Sequence, residues 1–186
     1  GFIVGYVEEE RILGAQRVQP DDVLLGLPSS GLHTNGYSLA RKVVSERLKL
    51  GLGDAFPSGG GSVADVLLVE HRSYLPVLKP VLDRVHALAH ITGGGLPGNL
   101  DRVLPPSLDA VVDTSSWKVP EVFTVLMDAG AVEPAEMYRT FNMGVGMVVI
   151  CPPSDVNAVL SAAAKAGAPG WILGSLKPGT GAVLLS

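Results

Sequence analysis

The sequence predicts an α/β fold in which a mixed sheet is layered with helices. Segments rich in β-branched and aliphatic residues alternate along the 186 residues with segments of helical period. The 23 glycines and 14 prolines lie mainly at the joints between these segments, which indicates many short elements. Apolar residues make up 47% of the chain, enough for a sizeable buried core. Alternation of this kind is typical of layered α/β domains, whose ligand sites lie at strand-to-helix turns.

Seven short segments are predicted as strands. Each is a run of apolar, often β-branched residues that Gly, Pro or charged residues bound on either side. The run at 145–150 has the strongest strand character. The seven segments are residues 2–7, 23–27, 87–91, 110–112, 145–150, 171–173 and 182–184.

Seven further segments carry a helical spacing of apolar residues or a helix start signal. Ser62 and Asp65 form a start that resembles a capping box, and Ser154 is predicted to cap the last helix. Residues 51–61, with Pro57 and three consecutive glycines, are predicted as a loop. The helices are predicted at residues 37–50, 62–69, 74–85, 96–102, 120–129, 133–140 and 154–166.

The charge balance and the composition exclude several classes of protein. Fourteen basic against 18 acidic residues give a net charge of −4, which leaves no basic surplus for binding nucleic acid. No apolar run approaches the roughly 20 residues of a membrane helix. The single cysteine, Cys151, permits neither an internal disulfide nor a thiolate metal cluster, which suits a reducing cytoplasm. The chain opens on Gly1 rather than Met, and we expect it to be a piece of a longer protein.

The first candidate site is the turn between the first buried strand and the helix that follows it. It gathers the hydroxyls of Ser29 and Ser30, the imidazole of His33 and the amide of Asn35 within seven residues. Free backbone N–H groups at a helix start attract anions, and these side chains add polar contacts. Because a loop that merely caps its helix needs one such residue rather than a cluster, we predict a binding site here.

The second candidate site is the glycine run that follows His90. Thr92 precedes Gly93, Gly94 and Gly95, again between a strand and a helix start. Three adjacent glycines let a backbone close against a ligand, at an entropic cost that a simple tight turn does not require. We therefore predict an anion-binding segment, with a tight turn as the alternative.

The same run imitates a dinucleotide-binding fingerprint. Gly93, Gly95 and Gly98 match G-x-G-x-x-G, and an acidic residue follows 20 residues after the first of them. Pro97 interrupts the motif, and the prolines at 105–106 cut the following helix to about two turns, whereas a Rossmann crossover needs a longer helix. We therefore reject a dehydrogenase function.

The third candidate site leads into the strongest predicted strand. Arg139 and Asn142 are placed to contact a ligand if this segment lines a site. Gly144 and Gly146 are equally compatible with close packing against a neighbouring backbone. The sequence leaves both interpretations open.

The remaining histidines and the cysteine are weaker candidates. His86 and His90 share a strand face, but the sequence shows no third ligand beside them, so we predict no metal site. His71 is expected to be a solvated residue on a helix. Cys151 follows a buried strand and is expected to be an inert thiol.

Together, the three candidate segments resemble a known family. Residues 31–39, 90–96 and 141–147 read GLHTNGYSL, HITGGGL and FNMGVGM. They resemble, in order and spacing, the motifs of the aminoimidazole ribonucleotide synthetases, the phosphoribosylformylglycinamidine cyclo-ligases of purine synthesis. The resemblance covers the carboxy-terminal domain of that family. It implies that residues 1–10 are the end of the amino-terminal domain with a linker, and that residues 11–186 are the carboxy-terminal α/β domain.

The resemblance implies an ATP-dependent ring closure in de novo purine biosynthesis. In this reaction ATP phosphorylates the formyl-amide oxygen of formylglycinamidine ribonucleotide and a substrate nitrogen attacks the activated carbon. Phosphate then leaves to give aminoimidazole ribonucleotide, so positioning and charge stabilisation carry most of the catalysis. In the family the amino-terminal domain holds ATP and Mg²⁺ and builds much of a homodimer. We therefore expect the present chain to be inactive alone, and its parent to be a cytoplasmic enzyme.

The same resemblance suggests roles for individual residues. His33 is assigned as the catalytic residue, and no residue is assigned as a metal ligand. The expected substrate- and phosphate-binding residues are Ser29, Ser30, Asn35, Thr92, Gly93, Gly94, Gly95 and Asn142.

Two alternatives stay open at this point. The first is another ATP-dependent enzyme on the same scaffold, namely a formylglycinamidine ribonucleotide synthetase, a selenophosphate synthetase, a thiamine-monophosphate kinase or a hydrogenase-maturation enzyme. The second is a non-catalytic anion-binding or assembly domain.

Overall fold

The structure, a computed structural model, describes residues 1–2 and 4–186. Within these residues six strands form one mixed sheet. They are β1 (Val23–Pro28), β2 (Ala87–His90), β3 (Leu108–Val112), β4 (Val145–Cys151), β5 (Trp171–Pro178) and β6 (Val183–Leu185). Their order across the sheet is β2-β4-β1-β5-β3-β6. All neighbours pair antiparallel except β3 and β6, which run parallel.

Short helices cover the sheet. The α-helices of the described chain are α1 (Tyr37–Lys42), α2 (Val63–Leu67), α3 (Leu75–Leu78), α4 (Gly95–Leu100), α5 (Glu121–Gly130), α6 (Pro134–Thr140) and α7 (Val156–Lys165). A π-helical turn, Val43–Arg47, extends α1, and 3₁₀ turns lie at Glu9–Arg11, Lys79–Arg84, Asp101–Val103 and Pro153–Asp155. The predicted α/β class is confirmed, and the capping box of Ser62 and Asp65 is present at the start of α2.

Strands β1 and β4 are buried on both faces, since their side chains alternate between two separate cores. On one face Leu24 of β1 and Ile150 of β4 pack in a core that α4 covers. On the other face Leu25 and Val149 pack in a core that α3 and α7 cover. This double burial explains why β4 is apolar along its whole length.

A third core lies apart from these two and is built from α1, α2, α5 and α6. Phe123, Leu126, Met137 and Phe141 are its largest fully buried side chains. These helices support the loops that follow β1 and precede β4.

Two details of the predicted elements were wrong. Residues 2 and 4–7 have no regular secondary structure, and position 3 of that predicted strand lies outside the described residues. A strand needs a hydrogen-bonded neighbour, and no strand of the described chain pairs with this segment. Ser154 does not cap α7, because Asp155 is the residue at the N-cap and no side-chain cap bond forms there.

The described residues contain no helix long and apolar enough to cross a membrane.

Candidate functional site

The topology brings the three candidate segments to one end of the sheet. β4 lies between β1 and β2 and runs antiparallel to both, so the ends of β1 and β2 meet the start of β4. Pro28 accordingly lies opposite Val145. We call the surface formed by residues 29–36, 91–95 and 138–144 the junction surface. It contains all nine of the predicted site residues.

Asn142 joins the first and third segments of this surface. Its Oδ1 accepts hydrogen bonds from Ser29 Oγ (2.9 Å) and from the N–H of Gly144 (2.8 Å), and its Nδ2 donates to Gly31 O (2.8 Å). The residue is only 3% exposed. The amide of Asn142 and the hydroxyl of Ser29 are thus engaged inside the protein, where they set the shape of the loop that carries His33.

Ser30 connects the first segment to the linker between α2 and α3. Its Oγ donates to Glu70 O (2.7 Å) and accepts from the N–H of Arg72 (3.1 Å). Its own N–H donates to His33 Nε2 (3.1 Å). Ser30 therefore fixes the linker and the imidazole against each other.

Hydrogen bonds to Asn99 of α4 fix the second segment. Thr92 Oγ1 donates to Asn99 Oδ1 (3.0 Å), and Asn99 Nδ2 donates to Gly95 O (2.7 Å). Gly95 must be glycine, because it has a φ of 61° and a Cβ there would lie 1.7 Å from Tyr138 O. Sequence reasoning missed Asn99, a buried amide that no motif marks.

The outer part of this segment is open to a ligand. Gly93 and Gly94 are exposed, and within the described residues neither N–H has a hydrogen-bond acceptor. Asn35 approaches from the first segment, since a Cβ on Gly93 would lie 3.4 Å from its Oδ1. These two N–H groups and the Asn35 amide form a polar patch that suits an anion.

His33 of the junction surface lies close to two further histidines, His71 and His90. We call these three residues the histidine cluster. The His33 and His71 rings are stacked with centroids 3.9 Å apart at 13°, and His71 Nε2 lies 3.1 Å from His90 Nε2. Two expectations were wrong here. His71 was expected on a helix, but it lies outside any helix. No third ligand was expected beside His86 and His90, but His33 and His71 both lie beside His90. His86, in contrast, pairs with Asp22 at 2.7 Å.

Gly146 of β4 forms the floor beneath this cluster. Tyr74 donates from its hydroxyl to Pro28 O (2.9 Å), and a Cβ on Gly146 would lie 1.8 Å from Tyr74 Oη and 2.7 Å from His33 Cε1. Gly144, with a φ of 99°, leaves no room for a Cβ either, since the atom would lie 2.5 Å from a Pro120 carbon. Both glycines of the third segment thus permit close packing, one of the two interpretations left open by the sequence.

The hydrogen bond from Ser30 assigns the tautomer of His33. Because Nε2 accepts, the proton of the neutral ring is on Nδ1, which is buried and has no partner in the described chain. Burial first, and then the positive charges of His71, His90 and Arg72, lower the pKa of His33 to about 4. Partial burial of the His90 ring also lowers its pKa, with the charge of His71 as the second cause. His33 is therefore neutral at pH 7.

Nitrogen atoms of the three imidazoles lie within 4.8 Å of one another, as close as metal ligands. Their orientation does not suit an ion. The lone pairs of the stacked His33 and His71 rings lie in separate, nearly parallel planes, so they do not meet at one point. The Nε2 lone pair of His33 is already occupied by the Ser30 N–H. The three imidazoles therefore pack against one another without a common point for an ion.

A cleft of about 510 Å³ lies beside the first segment. Ser29 and Ser30 line one wall, and Lys118 and Glu121 line another. None of the histidine cluster lines it, and its one cation, Lys118, lies 3.4 Å from the Glu121 carboxylate, so the cleft meets the junction surface only at the first segment.

Several curated relatives resemble the chain closely. The phosphoribosylformylglycinamidine cyclo-ligase of Sorangium cellulosum is 46% identical over 95% of this chain and 52% of its own length. That of Geotalea daltonii is 43% identical over 95% of this chain and 51% of its own length. That of Thermoanaerobacter sp. strain X514 is 39% identical over 100% of this chain and 55% of its own length. The chain therefore spans about half the length of the curated relatives that it matches.

Solved structures share the fold at low sequence identity. Thiamine-monophosphate kinase from Stenotrophomonas maltophilia K279a superposes with a TM-score of 0.66, at 15% identity, over 97% of this chain and 54% of its own. Hydrogenase maturation protein HypE in complex with ATP superposes with a TM-score of 0.63, at 18% identity, over 96% of this chain and 51% of its own. T. maritima PurL complexed with FGAR superposes with a TM-score of 0.55, at 14% identity, over 91% of this chain and 26% of its own. These similarities concern the fold alone.

The chain is thus an α/β domain whose fold these solved structures share. Residues 19–185 match the family described as AIR synthase related protein, C-terminal domain. The chain belongs to this family, as the resemblance of its three motifs predicted.

Proposed function

We propose that the chain is the carboxy-terminal part of an ATP-dependent cyclo-ligase. The enzyme closes the imidazole ring of aminoimidazole ribonucleotide from formylglycinamidine ribonucleotide, with ATP and Mg²⁺ held mostly by an amino-terminal domain. Residues 1–10 connect that domain to residues 11–186, and the intact enzyme is a cytoplasmic homodimer. The names of the relatives and the half-length coverage support this proposal.

The observation that carries the proposal is the unpartnered Nδ1–H of His33 at the junction surface. A buried donor without an acceptor is costly, and a substrate oxygen that accepts this hydrogen bond removes the cost. With a pKa of about 4, His33 is a neutral imidazole at pH 7. We therefore assign His33 as a neutral hydrogen-bond donor that stabilises charge developing on the formyl-amide oxygen or on the transferring phosphoryl group.

The patch at the helix start supplies the second part of the site. The exposed N–H groups of Gly93 and Gly94 and the amide of Asn35 bind phosphate oxygens in this proposal. Thr92 and Gly95 support the patch through α4, because their polar groups are bonded to Asn99 or its neighbours. Ser29, Ser30 and Asn142 hold the loops in register by the bonds described above.

A titration of the ¹⁵N-labelled chain tests the location of this site. Inorganic phosphate and formylglycinamidine ribonucleotide are added separately, and the backbone amide shifts are followed. We expect saturable shifts at Asn35, Gly93 and Gly94 with both ligands. Shifts confined to residues 58–60 and 118–122, which line the neighbouring cleft, would place the binding elsewhere and contradict the assignment.

A further inference from the structure

We infer that His71 is a positioning residue of the proposed site, which shields the His33 ring from water and keeps it in the neutral Nδ1–H form. Its part in catalysis rests on the proposed function, whereas its effect on His33 does not.

Ser30 holds His71 over the ring of His33. The two bonds of Ser30 Oγ reach Glu70 O and the N–H of Arg72, the residues on either side of His71. The N–H of Ser30 meanwhile binds His33 Nε2. One residue thus anchors both stacked rings, and the centroid distance of 3.9 Å is that of direct face-to-face contact.

The other edge of His71 is held by β2. His71 Nε2 and His90 Nε2 are 3.1 Å apart, a hydrogen-bond distance at which one ring must donate and the other accept. Exposure decreases along the cluster, because His90 is exposed, His71 half-buried and His33 only 4% exposed. Water therefore reaches the cluster from the His90 side.

Burial and the cationic or titratable groups beside His33 disfavour its protonation. His71 and Arg72 face it from the linker, His90 from β2 and Tyr74 from the start of α3. Arg72 is a cation, the two histidines can become cations, and Tyr74 is a neutral phenol. No salt bridge of the described chain reaches His33. The lowered pKa of His33, about 4, agrees with this environment.

The arrangement has a consequence for the proposed reaction. Nδ1 of His33 is buried and has no acceptor within the described chain, and a substrate oxygen supplies that acceptor in the proposed reaction. Tyr74 is buried and bonded to Pro28, whereas His71 is half-buried in a linker without regular secondary structure. His71 therefore covers a face of the neutral ring from a segment that is less buried than Tyr74, while Nδ1–H lies in the plane of the ring.

Imidazole NMR of the 186-residue chain tests this inference without any activity assay. The chain has only 4 histidines, so a long-range ¹H–¹⁵N spectrum resolves each ring, its tautomer and its titration. The variants are His71→Phe, which keeps the stacked ring but removes its nitrogens, and His71→Ala, which removes both. Ser73→Ala is the matched control, because Ser73 is an exposed residue of the same linker.

We expect wild-type His33 to be the Nδ1–H tautomer and to titrate well below 6, with the Ser73→Ala control unchanged. His71→Phe should raise the pKa of His33 slightly, and His71→Ala should raise it by about one unit or more, since burial is its largest cause. A wild-type His33 that titrates near 6.5, or a folded His71→Ala chain with an unchanged His33, would overturn the inference. Loss of phosphate binding alone would concern the proposed function instead.

Discussion

Lowering the pH from 7 to 5 is expected to destabilise the chain through His33. A histidine whose pKa is lower in the folded chain than in the unfolded chain favours the unfolded state as pH falls, because that state binds the proton more tightly. The contribution of neutral His33 to the free energy of unfolding is fully present above pH 6.5 and is lost progressively as the pH falls from 6.5 to about 4. His90 acts in the same direction, since its pKa is lowered as well.

The magnitude follows from the two pKa values. With about 4 in the folded chain and 6.5 in the unfolded chain, linkage gives a loss of about 2 kcal/mol at pH 5. The residue is 4% exposed, so solvent screens it little. Carboxylates contribute below this window, because hydrogen bonds lower the pKa of Asp65, Asp109 and Asp113 beneath the usual value of 3.8.

Urea unfolding of the wild type and of His33→Asn at pH 7 and pH 5 measures the effect. Asparagine is chosen because His33 has a φ of 58°, a left-handed conformation that asparagine tolerates better than alanine. The wild type should lose about 2 kcal/mol more than the variant between the two pH values. Equal losses in the two chains would refute the argument that burial of a neutral His33 makes the fold acid-sensitive.

Three substitutions test the packing around the site by urea or thermal unfolding. Gly146→Ala should cost about 1–3 kcal/mol and displace Tyr74 from its carbonyl partner; an unchanged midpoint would contradict the close approach. Gly95→Ala should prevent folding or cost at least about 3 kcal/mol, because the new Cβ would meet Tyr138 O, a backbone atom; an unchanged stability would contradict the close approach of Gly95 to Tyr138. Asn142→Ala should cost about 2–4 kcal/mol by leaving buried polar groups unpaired; a loss below about 1 kcal/mol would argue against its joining role.

Local sequence patterns predicted the parts of the fold that local physics determines. The all-apolar run of β4 is explained by burial on both faces, and the box of Ser62 and Asp65 begins α2 as predicted. The segment at 2–7 has strand composition, but composition does not supply the neighbour that a strand needs. The sequence pattern therefore predicted the helices and strands better than it predicted which strands pair.

The candidate site was predicted in part, for a similar reason. Motifs marked His33 and the glycines at 93–95, because strand-to-helix turns are visible in the sequence. His71 lies in a linker without periodicity, and its position depends on two bonds from Ser30, a residue about 40 positions earlier. Asn142 stays a predicted ligand contact, and the fold also uses its amide to join two loops, which no motif indicated.

The central claim is that His33 serves ring closure once the chain is joined to an ATP-binding half. The direct measurement joins residues 11–186 to the amino-terminal half of the Sorangium cellulosum cyclo-ligase and follows ATP- and Mg²⁺-dependent ring closure. Wild-type, His33→Asn and Ser73→Ala hybrids are compared, with the 186-residue chain alone as the blank.

We expect the wild-type and Ser73→Ala hybrids to turn over substrate, the chain alone to be inactive, and His33→Asn to lower kcat/KM by about 100-fold. The thermal midpoint at pH 7 should be similar for all folded hybrids. A folded His33→Asn hybrid with the kcat/KM of the wild type would contradict the account.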